Sequence, residues 1–379
     1  MRRICLWLWT AAFLSAVCLP VGAVSTSASS AILMDADSGR VLYEQNADEP
    51  RLIASVTKLL TALVAVERGP DLDRVVEIKA EWLSGVEGSS IYLQAGEQIS
   101  MEALLYGLLL ESGNDAAAAV ACASAGSEEK FAQWMNQKAR ELGMSSSHFT
   151  NASGLNADGH YSTARDLAKL AAACLDDETV SAICASRTAT IGTRTFTNHN
   201  RLLALYDGCV GMKTGYTQRA GRTLVSAATR EGQTLVAVTL NDPDDWQDHM
   251  ELLDYGFTGY PAKQLCQKGE VVGCVPVQGS LVRFVEVAAA EDFSYPLAEG
   301  ESAQVRVEQD DLVEAPVQAG QAAGRLVYLV GDQEIGTVEL CYVQSVNRDI
   351  FPESTLLQRI LSAIFGKTVT VSGQGVGLI

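Results

Sequence analysis

Residues 54–66 read ASVTKLLTALVAV, and the reading of the rest of the chain turns on them. The run is apolar nearly all round and stops at Gly69-Pro70. It predicts a helix without a polar face, which belongs inside a large domain. Ser55 and Lys58 lie at its start, three residues apart and so on one face. A serine hydroxyl is a poor nucleophile without an adjacent base. A lysine amine serves as that base only when neutral, and at an ordinary pKa only about one in a few thousand is neutral at pH 7. Burial in an apolar helix beside another cation depresses the pKa and raises that fraction. The spacing is weak evidence alone: Ser127-Glu128-Glu129-Lys130 shares it and reads as a solvated helix start with Ser127 as N-cap.

Working outward, residues 31–45 (AILMDADSGRVLYEQ) alternate as strands around Asp37-Ser38-Gly39, a hairpin signature. Helices are predicted over Met101–Leu110, over the alanine run capped by Asn114-Asp115, over Phe131–Leu142 and over Leu167–Cys174. Strands follow at Val210–Thr217, Thr223–Thr229 and Thr234–Leu240, the last two joined by the turn Arg230-Glu231-Gly232-Gln233. Strands at both ends with helices between them predict an α+β domain: an antiparallel sheet in which the two ends meet, covered by a helical block. After Gly256 the texture changes. Val271–Val277, Leu281–Val287, Ala303–Val307, Leu326–Val330 and Gly336–Tyr342 are short strands separated by turns, the pattern of a small all-β sandwich. Thr258-Gly259-Tyr260-Pro261 reads as the linker.

The chain of 379 residues has room for two unequal domains. Its 28 basic and 46 acidic residues give a net charge of −18, which repels phosphate backbones and argues against nucleic-acid binding. Met1-Arg2-Arg3, the apolar run Ile4–Leu19, Pro20 and the small residues before Val24 form a secretory signal cleaved after Ala23. The same run is nearly long enough to be an uncleaved anchor; in either case the remainder works outside the cytoplasm. Cys122, Cys174, Cys184, Cys209, Cys266, Cys274 and Cys341 then remain, an odd set read as mostly free, structural thiols. In the tail, Leu356, Leu357, Ile360, Leu361, Ile364 and Phe365 form one stripe of an amphipathic helix. It suits a membrane surface, or packing against the chain's own β domain. His148, His160, His199 and His249 show no metal-ligand spacing, and His160 reads as structural.

Two further motifs carry chemistry. Ser112-Gly113-Asn114 falls between predicted helices, where a hydroxyl can relay a proton and an amide can hold a substrate carbonyl. Lys213-Thr214-Gly215 falls on a predicted strand: a cation and a hydroxyl for a carboxylate, and a glycine that permits close backbone approach. An exposed strand edge there can pair with an extended peptide. Ser345-Val346-Asn347 shows that a lone Ser-x-Asn can be accidental. Together, Ser-x-x-Lys, Ser-x-Asn and Lys-Thr-Gly in that order are the signature set of penicillin-binding proteins and serine β-lactamases.

The chain resembles, more narrowly, the low-molecular-weight penicillin-binding proteins that are serine-type D-alanyl-D-alanine carboxypeptidases. The resemblance runs through ILMDADSGRVLYEQNADEPRLIASVTKLLTALVAVE, GSSIYLQAGEQISMEALLYGLLLESGNDAAAAVA, LGMSSSHFTNASGLNADGHYST and GMKTGYTQRAGRTLVSAATREGQTLVAVTL, most of residues 31–256. It implies a β-lactamase/transpeptidase-like catalytic domain over 24–257, after a signal peptide at 1–23. A β-sandwich would follow over 265–345 and an amphipathic helix over 354–366. It implies that Ser55 attacks the bond between two D-alanines and that Lys58 takes its proton. Ser112 would relay a proton to the leaving D-alanine, and Asn114 would hold the peptide. Lys213, Thr214 and Thr217 would hold the terminal carboxylate, with Gly215 on the same strand. The backbone N–H groups of Ser55 and Tyr216 would hold the oxyanion. The implied partners are a peptidoglycan stem peptide ending in D-Ala-D-Ala and β-lactams that acylate Ser55; no cofactor or metal is implied. The expected location is the outer face of the cytoplasmic membrane. A β-lactamase, a transpeptidase or a non-hydrolytic β-lactam or peptidoglycan-binding protein of the same superfamily are the competing readings.

Overall fold

The computed structural model describes residues 24–69 and 71–349, with two short paired strands at Val371–Ser372 and Gly375–Val376. The signal segment and the tail helix expected from the sequence lie outside the described residues. The chain divides into two compact units. One comprises the chain up to Leu33, Tyr43–Ala228 and Leu235–Gly259; the other comprises Met34–Leu42, Thr229–Thr234 and the chain from Tyr260 onward.

In the first unit, strands β1 (Ser30–Asp35) and β2 (Val41–Gln45) form the expected hairpin. A 3-10 turn, Ala54–Thr57, leads into helix α1 (Lys58–Arg68). The ladder of β3 (Val75–Glu77) and β4 (Gln98–Ser100) precedes α2 (Met101–Leu109). Helices α3 (Asn114–Ala125), α4 (Glu128–Glu141), α5 (Ala164–Asp176) and α6 (Glu178–Ala185) complete the helical block. A second ladder, β5 (Thr188–Ile191) with β6 (Arg194–Thr197), and the single turn α7 (Leu202–Leu205) lead to three longer strands. These are β7 (Cys209–Thr217), β8 (Gly221–Arg230) and β9 (Gln233–Leu240), after which comes α8 (Asp245–Gly259).

The sheet order is β2-β1-β9-β8-β7, so strands from the two ends of the domain lie side by side and β7 is an edge. All six residues of β1 are buried. Helix α1 is buried from Lys58 through Val66, as its all-round apolar sequence demands. Leu59, Leu60 and Leu63 are all buried, and each leucine so buried contributes about 1.5–3 kcal/mol. The small residues Ala116–Ala121 let α3 pack closely against its neighbours. Ser127 accepts a hydrogen bond from the Lys130 backbone N–H, the expected N-cap. Thr163 and Asp177 cap α5 and α6 likewise.

Two local expectations are corrected. Gly113, not Asn114-Asp115, is the N-cap of α3; Asn114 is the first helical residue and its side chain is engaged elsewhere. Thr258 and Gly259, expected in a linker, form the last turn of α8. That helix went unforeseen because its inward stripe is partly polar. Asp245, Asp248 and His249 are buried along with Leu252, Leu253 and Gly256. His249 bridges Ser226 Oγ (2.6 Å) and Thr239 Oγ1 (2.9 Å), fastening α8 to β8 and β9.

The second unit is all-β. Its strands are β10 (Ala262–Cys266), β11 (Val271–Gln278), β12 (Phe284–Ala289), β13 (Phe293–Pro296), β14 (Ala303–Gln309), β15 (Val313–Glu314), β16 (Ala322–Val330) and β17 (Gln333–Tyr342). They form a six-stranded sheet, β14-β16-β17-β12-β11-β15, and a two-stranded ladder, β10-β13. Val275, Val285, Val287, Leu326, Tyr328, Val338 and Leu340 form its core. The five strands expected here are all present; β10, β13 and β15 are two to five residues long and were not foreseen.

Candidate active site

The Ser-x-x-Lys motif straddles the junction between the 3-10 turn and α1. Ala54, just before the serine, has φ +48, and Ser112 has φ +61. Left-handed backbone at a residue with a Cβ is strained and is held only where the surroundings fix it. Ser112 itself borders the cleft described below, and Ala54 directly precedes Ser55, which does too. Gly154 shows how tightly the turn is held. A Cβ there would stand 1.9 Å from the Ala54 carbonyl oxygen and 2.8 Å from Thr57 Oγ1, and its φ of +86 already disfavours a side chain. Thr57 Oγ1 donates to the Ala54 carbonyl (2.9 Å) and meets His160 Nε2 at 2.8 Å. Burial lowers the His160 pKa to about 4, so the ring is neutral. Its Nδ1 accepts from the Thr150 N–H at 3.2 Å. His160 is structural, as expected.

Lys58 is buried, and its Nζ has three partners: Ser55 Oγ at 2.9 Å, Asn114 Oδ1 at 2.7 Å and the Ser153 carbonyl at 2.7 Å. The Asn114 amide is oriented by its NH2, which donates to the Glu87 carbonyl at 2.6 Å. Two of the three partners can only accept. A neutral amine has two hydrogens for those two acceptors and one lone pair, which is left facing the one partner that can donate, Ser55. Burial first, then the nearby charge of Lys213, drives the Lys58 pKa well below its usual value; Asp115 pulls the other way. Burial thus favours the neutral amine over the ammonium.

Lys213 on β7 is also buried, with Nζ donating to the Thr214 carbonyl at 2.9 Å. Burial lowers its pKa to about 8, against a smaller opposing effect of Cys184. Gly215 has a packing role beyond substrate approach: a Cβ would lie 2.4 Å from Thr223 Oγ1 and 3.0 Å from the Ser55 backbone nitrogen. Its absence lets β7 close against the turn that carries Ser55, with Thr223 Oγ1 donating to the Ile53 carbonyl at 3.1 Å. Thr217 Oγ1 donates to Asn156 Oδ1 at 3.2 Å, and Tyr216 is exposed.

A cleft of about 290 Å³ is bordered by Ser55, Ser112, Thr214, Gly215 and Tyr216, so the three motifs converge on one space. Ser89, His199, Arg222, Asp245 and Trp246 also border it. Nothing in the sequence marked those five. Arg222 pairs with Asp245 at 2.7 Å and lies 5.7 Å from the Trp246 ring centre. A second recess, about 300 Å³, has Asn114, Ser153, Leu155, Glu81, Trp82 and Glu128 in its walls. Asp115, adjacent to the Ser-x-Asn motif, accepts from the N–H groups of Ile91 and Leu93 and from Ser90 Oγ. It thereby ties the Gly88–Leu93 segment to the start of α3. The Asn151–Asn156 turn supplies the Ser153 carbonyl. Its Gly within a polar run was the available signal, since such runs expose backbone acceptors.

A cleft-facing serine bonded to a buried lysine, a Ser-x-Asn turn and a Lys-Thr-Gly edge strand on a sheet backed by helices define a transpeptidase-like acyl-transfer domain. Residues 19–244 match the peptidase S11 family, D-alanyl-D-alanine carboxypeptidase, and residues 260–348 match the penicillin-binding protein 5 C-terminal domain. The D-alanyl-D-alanine carboxypeptidase DacF of Bacillus subtilis is 32% identical over 314 residues, 79% of this chain and 81% of its own. DacA of Escherichia coli is 30% identical over 362 residues, 90% and 88% of the two chains. Penicillin binding protein 5 from Haemophilus influenzae superposes with a TM-score of 0.73 at 27% identity, over 86% of this chain and 99% of that one. A peptidoglycan synthesis regulatory factor from Streptococcus pneumoniae gives 0.75 at 28%, over 85% and 100%. The chain belongs to the peptidase S11 family of serine-type D-alanyl-D-alanine carboxypeptidases. Membership brings a peptidoglycan peptide as substrate, β-lactam binding and action outside the cytoplasm. No helix among the described residues is long and apolar enough to cross a membrane.

Proposed function

We propose that Ser55 is the nucleophile and Lys58, in its neutral form, the base of this carboxypeptidase. The observation that carries the reading is the Lys58 environment, two pure acceptors and one hydroxyl. Ser55 Oγ passes its proton to the Nζ lone pair and adds to the carbonyl carbon between the two D-alanines. The oxyanion is held by the backbone N–H groups of Ser55 and Tyr216, a role supported by the close passage of Gly215 beside the Ser55 nitrogen. A donor of this kind contributes about 2.7–4 kcal/mol. As the C–N bond breaks, the proton moves from Lys58 through Ser112 to the departing D-alanine amine. Asn114 both orients Lys58 and holds the peptide. Lys213, Thr214 and Thr217 bind the terminal carboxylate, and water then hydrolyses the Ser55 ester. A β-lactam acylates the same oxygen, but its tethered amine stays in the site and hinders water.

The recess walled by Trp82, Glu81 and Glu128 takes the stem peptide upstream of the scissile bond, because it adjoins Asn114 and Ser153. Residues 24–257 form the catalytic domain and 265–345 the β domain; the signal is removed after Ala23. The tail stripe Leu356, Leu357, Ile360, Leu361, Ile364 and Phe365 contacts the outer surface of the cytoplasmic membrane. The functional test is D-alanine release from a pentapeptide ending in D-Ala-D-Ala. Mature protein releases D-alanine and Ser55→Ala does not; equal release by both would refute the assignment of the nucleophile.

A further inference from the structure

The turn joining β11 to β12 carries Leu281, Val282, Arg283 and Phe284, all exposed, with Leu281 at 76% and Phe284 at 56%. They stand out because the next residues inward, Val285 and Val287, are fully buried in the β core. Phe284 pairs with Pro276 across the ladder. Val277 pairs in parallel with Val313, so Leu312, 52% exposed, stands level with Pro276 and Phe284. The result is a contiguous apolar tip at one end of the second unit.

The chain leaves the described structure at this same tip. Ser280 Oγ donates to the Asp349 carboxylate at 3.0 Å, and the Asp349 N–H donates to the Gly279 carbonyl at 3.0 Å. Residues 350–355 then separate Asp349 from the apolar stripe that begins at Leu356. Seven Cα–Cα steps span at most about 25 Å, so the stripe's start lies within that reach of Asp349 at the tip.

We propose that the Leu281–Phe284 tip is a second lipid contact, entering the headgroup–acyl boundary beside the tail; this rests on the tail's proposed membrane contact. The tip is the projecting end of a hairpin and not a groove, so it suits a fluid interface better than a packed helix. Arg283 among apolar neighbours fits the same place, since its stem can lie in the apolar layer while the guanidinium reaches the headgroups. With a net charge of −18 and few basic residues in the tail, apolar area drives attachment, and added anionic lipid strengthens it little.

The test is co-sedimentation of the mature full chain with phosphatidylcholine vesicles, with and without phosphatidylglycerol. It compares wild type, the tip variant Leu281→Ser/Phe284→Ser and the tail variant Leu357→Ser/Ile360→Ser. Loss of two apolar contacts weakens partitioning of the tip variant at least about tenfold. Its acylation by penicillin in solution stays at the wild-type rate, which shows that it is folded. Wild-type partitioning of the tip variant alongside loss in the tail variant overturns the tip assignment and leaves the tail reading standing. No partitioning by wild type overturns both. A tip covered by the tail would also contradict the proposal: Phe284→Trp would then be unquenched by brominated lipid, whereas insertion quenches it.

Discussion

Lys58 and Asn114 are joined by a 2.7 Å hydrogen bond from Nζ to Oδ1, and that bond helps decide which way the amine faces. With the Ser153 carbonyl also at 2.7 Å, it occupies both hydrogens of a neutral amine and leaves the lone pair directed at Ser55. Asn114→Ala removes one acceptor and frees the amine to rotate. The expected result is a fall in penicillin acylation rate of roughly 10²-fold, the lower range for a misplaced general base. Aspartate at this position restores an acceptor but adds a charge that stabilises the ammonium, so Asn114→Asp also acylates slowly near neutral pH and recovers as pH rises. Stopped-flow acylation across pH distinguishes the two variants.

The buried lysines make the pH profile directional. In the proposed mechanism Lys58 acts only after losing its proton, so kcat/KM is expected to rise with pH on the acid side. In the same mechanism Lys213 binds the carboxylate only while protonated, so its pKa of about 8 is expected to set the falling limb. Lys213→Arg keeps its charge throughout, so the alkaline limb moves upward whatever the change in absolute rate. An unshifted alkaline limb would remove Lys213 from that role.

Gly154→Ala is expected to destabilise the fold by about 3 kcal/mol, combining left-handed strain with a clash against backbone. The clash falls on the turn that presents Ser55, so acylation slows as well. Thermal melts and acylation rates measured together test the coupling. Loss of stability with an unchanged acylation rate would separate Gly154 from the site.

His160 links the fold to pH. Its pKa of about 4 lies below the unfolded value of 6.5, so the unfolded chain binds a proton first as pH falls. Its share of stability is full above pH 6.5 and is lost progressively toward pH 4, about 3 kcal/mol in all. His249, at about 3, acts in the same sense, while Asp242, raised to about 6 by burial, titrates in the opposite one. The clean measurement is therefore a difference. His160→Asn should flatten the dependence of unfolding free energy on pH between 6.5 and 4 by one proton relative to wild type.

The sheet, the buried helix and the three motifs were legible in the sequence because each rests on a local pattern: apolar runs, a hairpin turn and fixed short spacings. What remained hidden comes from chain folding over itself. The third partner of Lys58 is a backbone carbonyl, at Ser153, and backbone atoms carry no sequence label. Asp115 and Arg222 are ordinary charged residues until the Gly88–Leu93 segment and α8 are placed against them. Helix α8 escaped because a histidine between two hydroxyls and two buried aspartates occupy its inward stripe. Gly215 was read as room for substrate, and the structure adds the protein's own Thr223 and Ser55 as the atoms that need the space.

The upstream recess gives a kinetic split. Trp82→Ala should raise KM for a long stem peptide several-fold and slow penicillin acylation less, because the peptide has more chain to lay along the recess than penicillin has. Equal losses with both would place Trp82 in support of the fold instead.

The most direct measurement is intact mass after brief penicillin treatment, with the modified residue located by peptide mapping. Wild type is predicted to gain one penicillin per chain, on Ser55. Ser55→Ala should gain none, and Lys58→Met should acylate slower by several orders of magnitude, beyond any effect on the melting temperature of the buried acceptors it leaves unpaired. An adduct forming on Ser55→Ala at the wild-type rate, or Lys58→Met acylating as fast as wild type, would contradict the serine–lysine account.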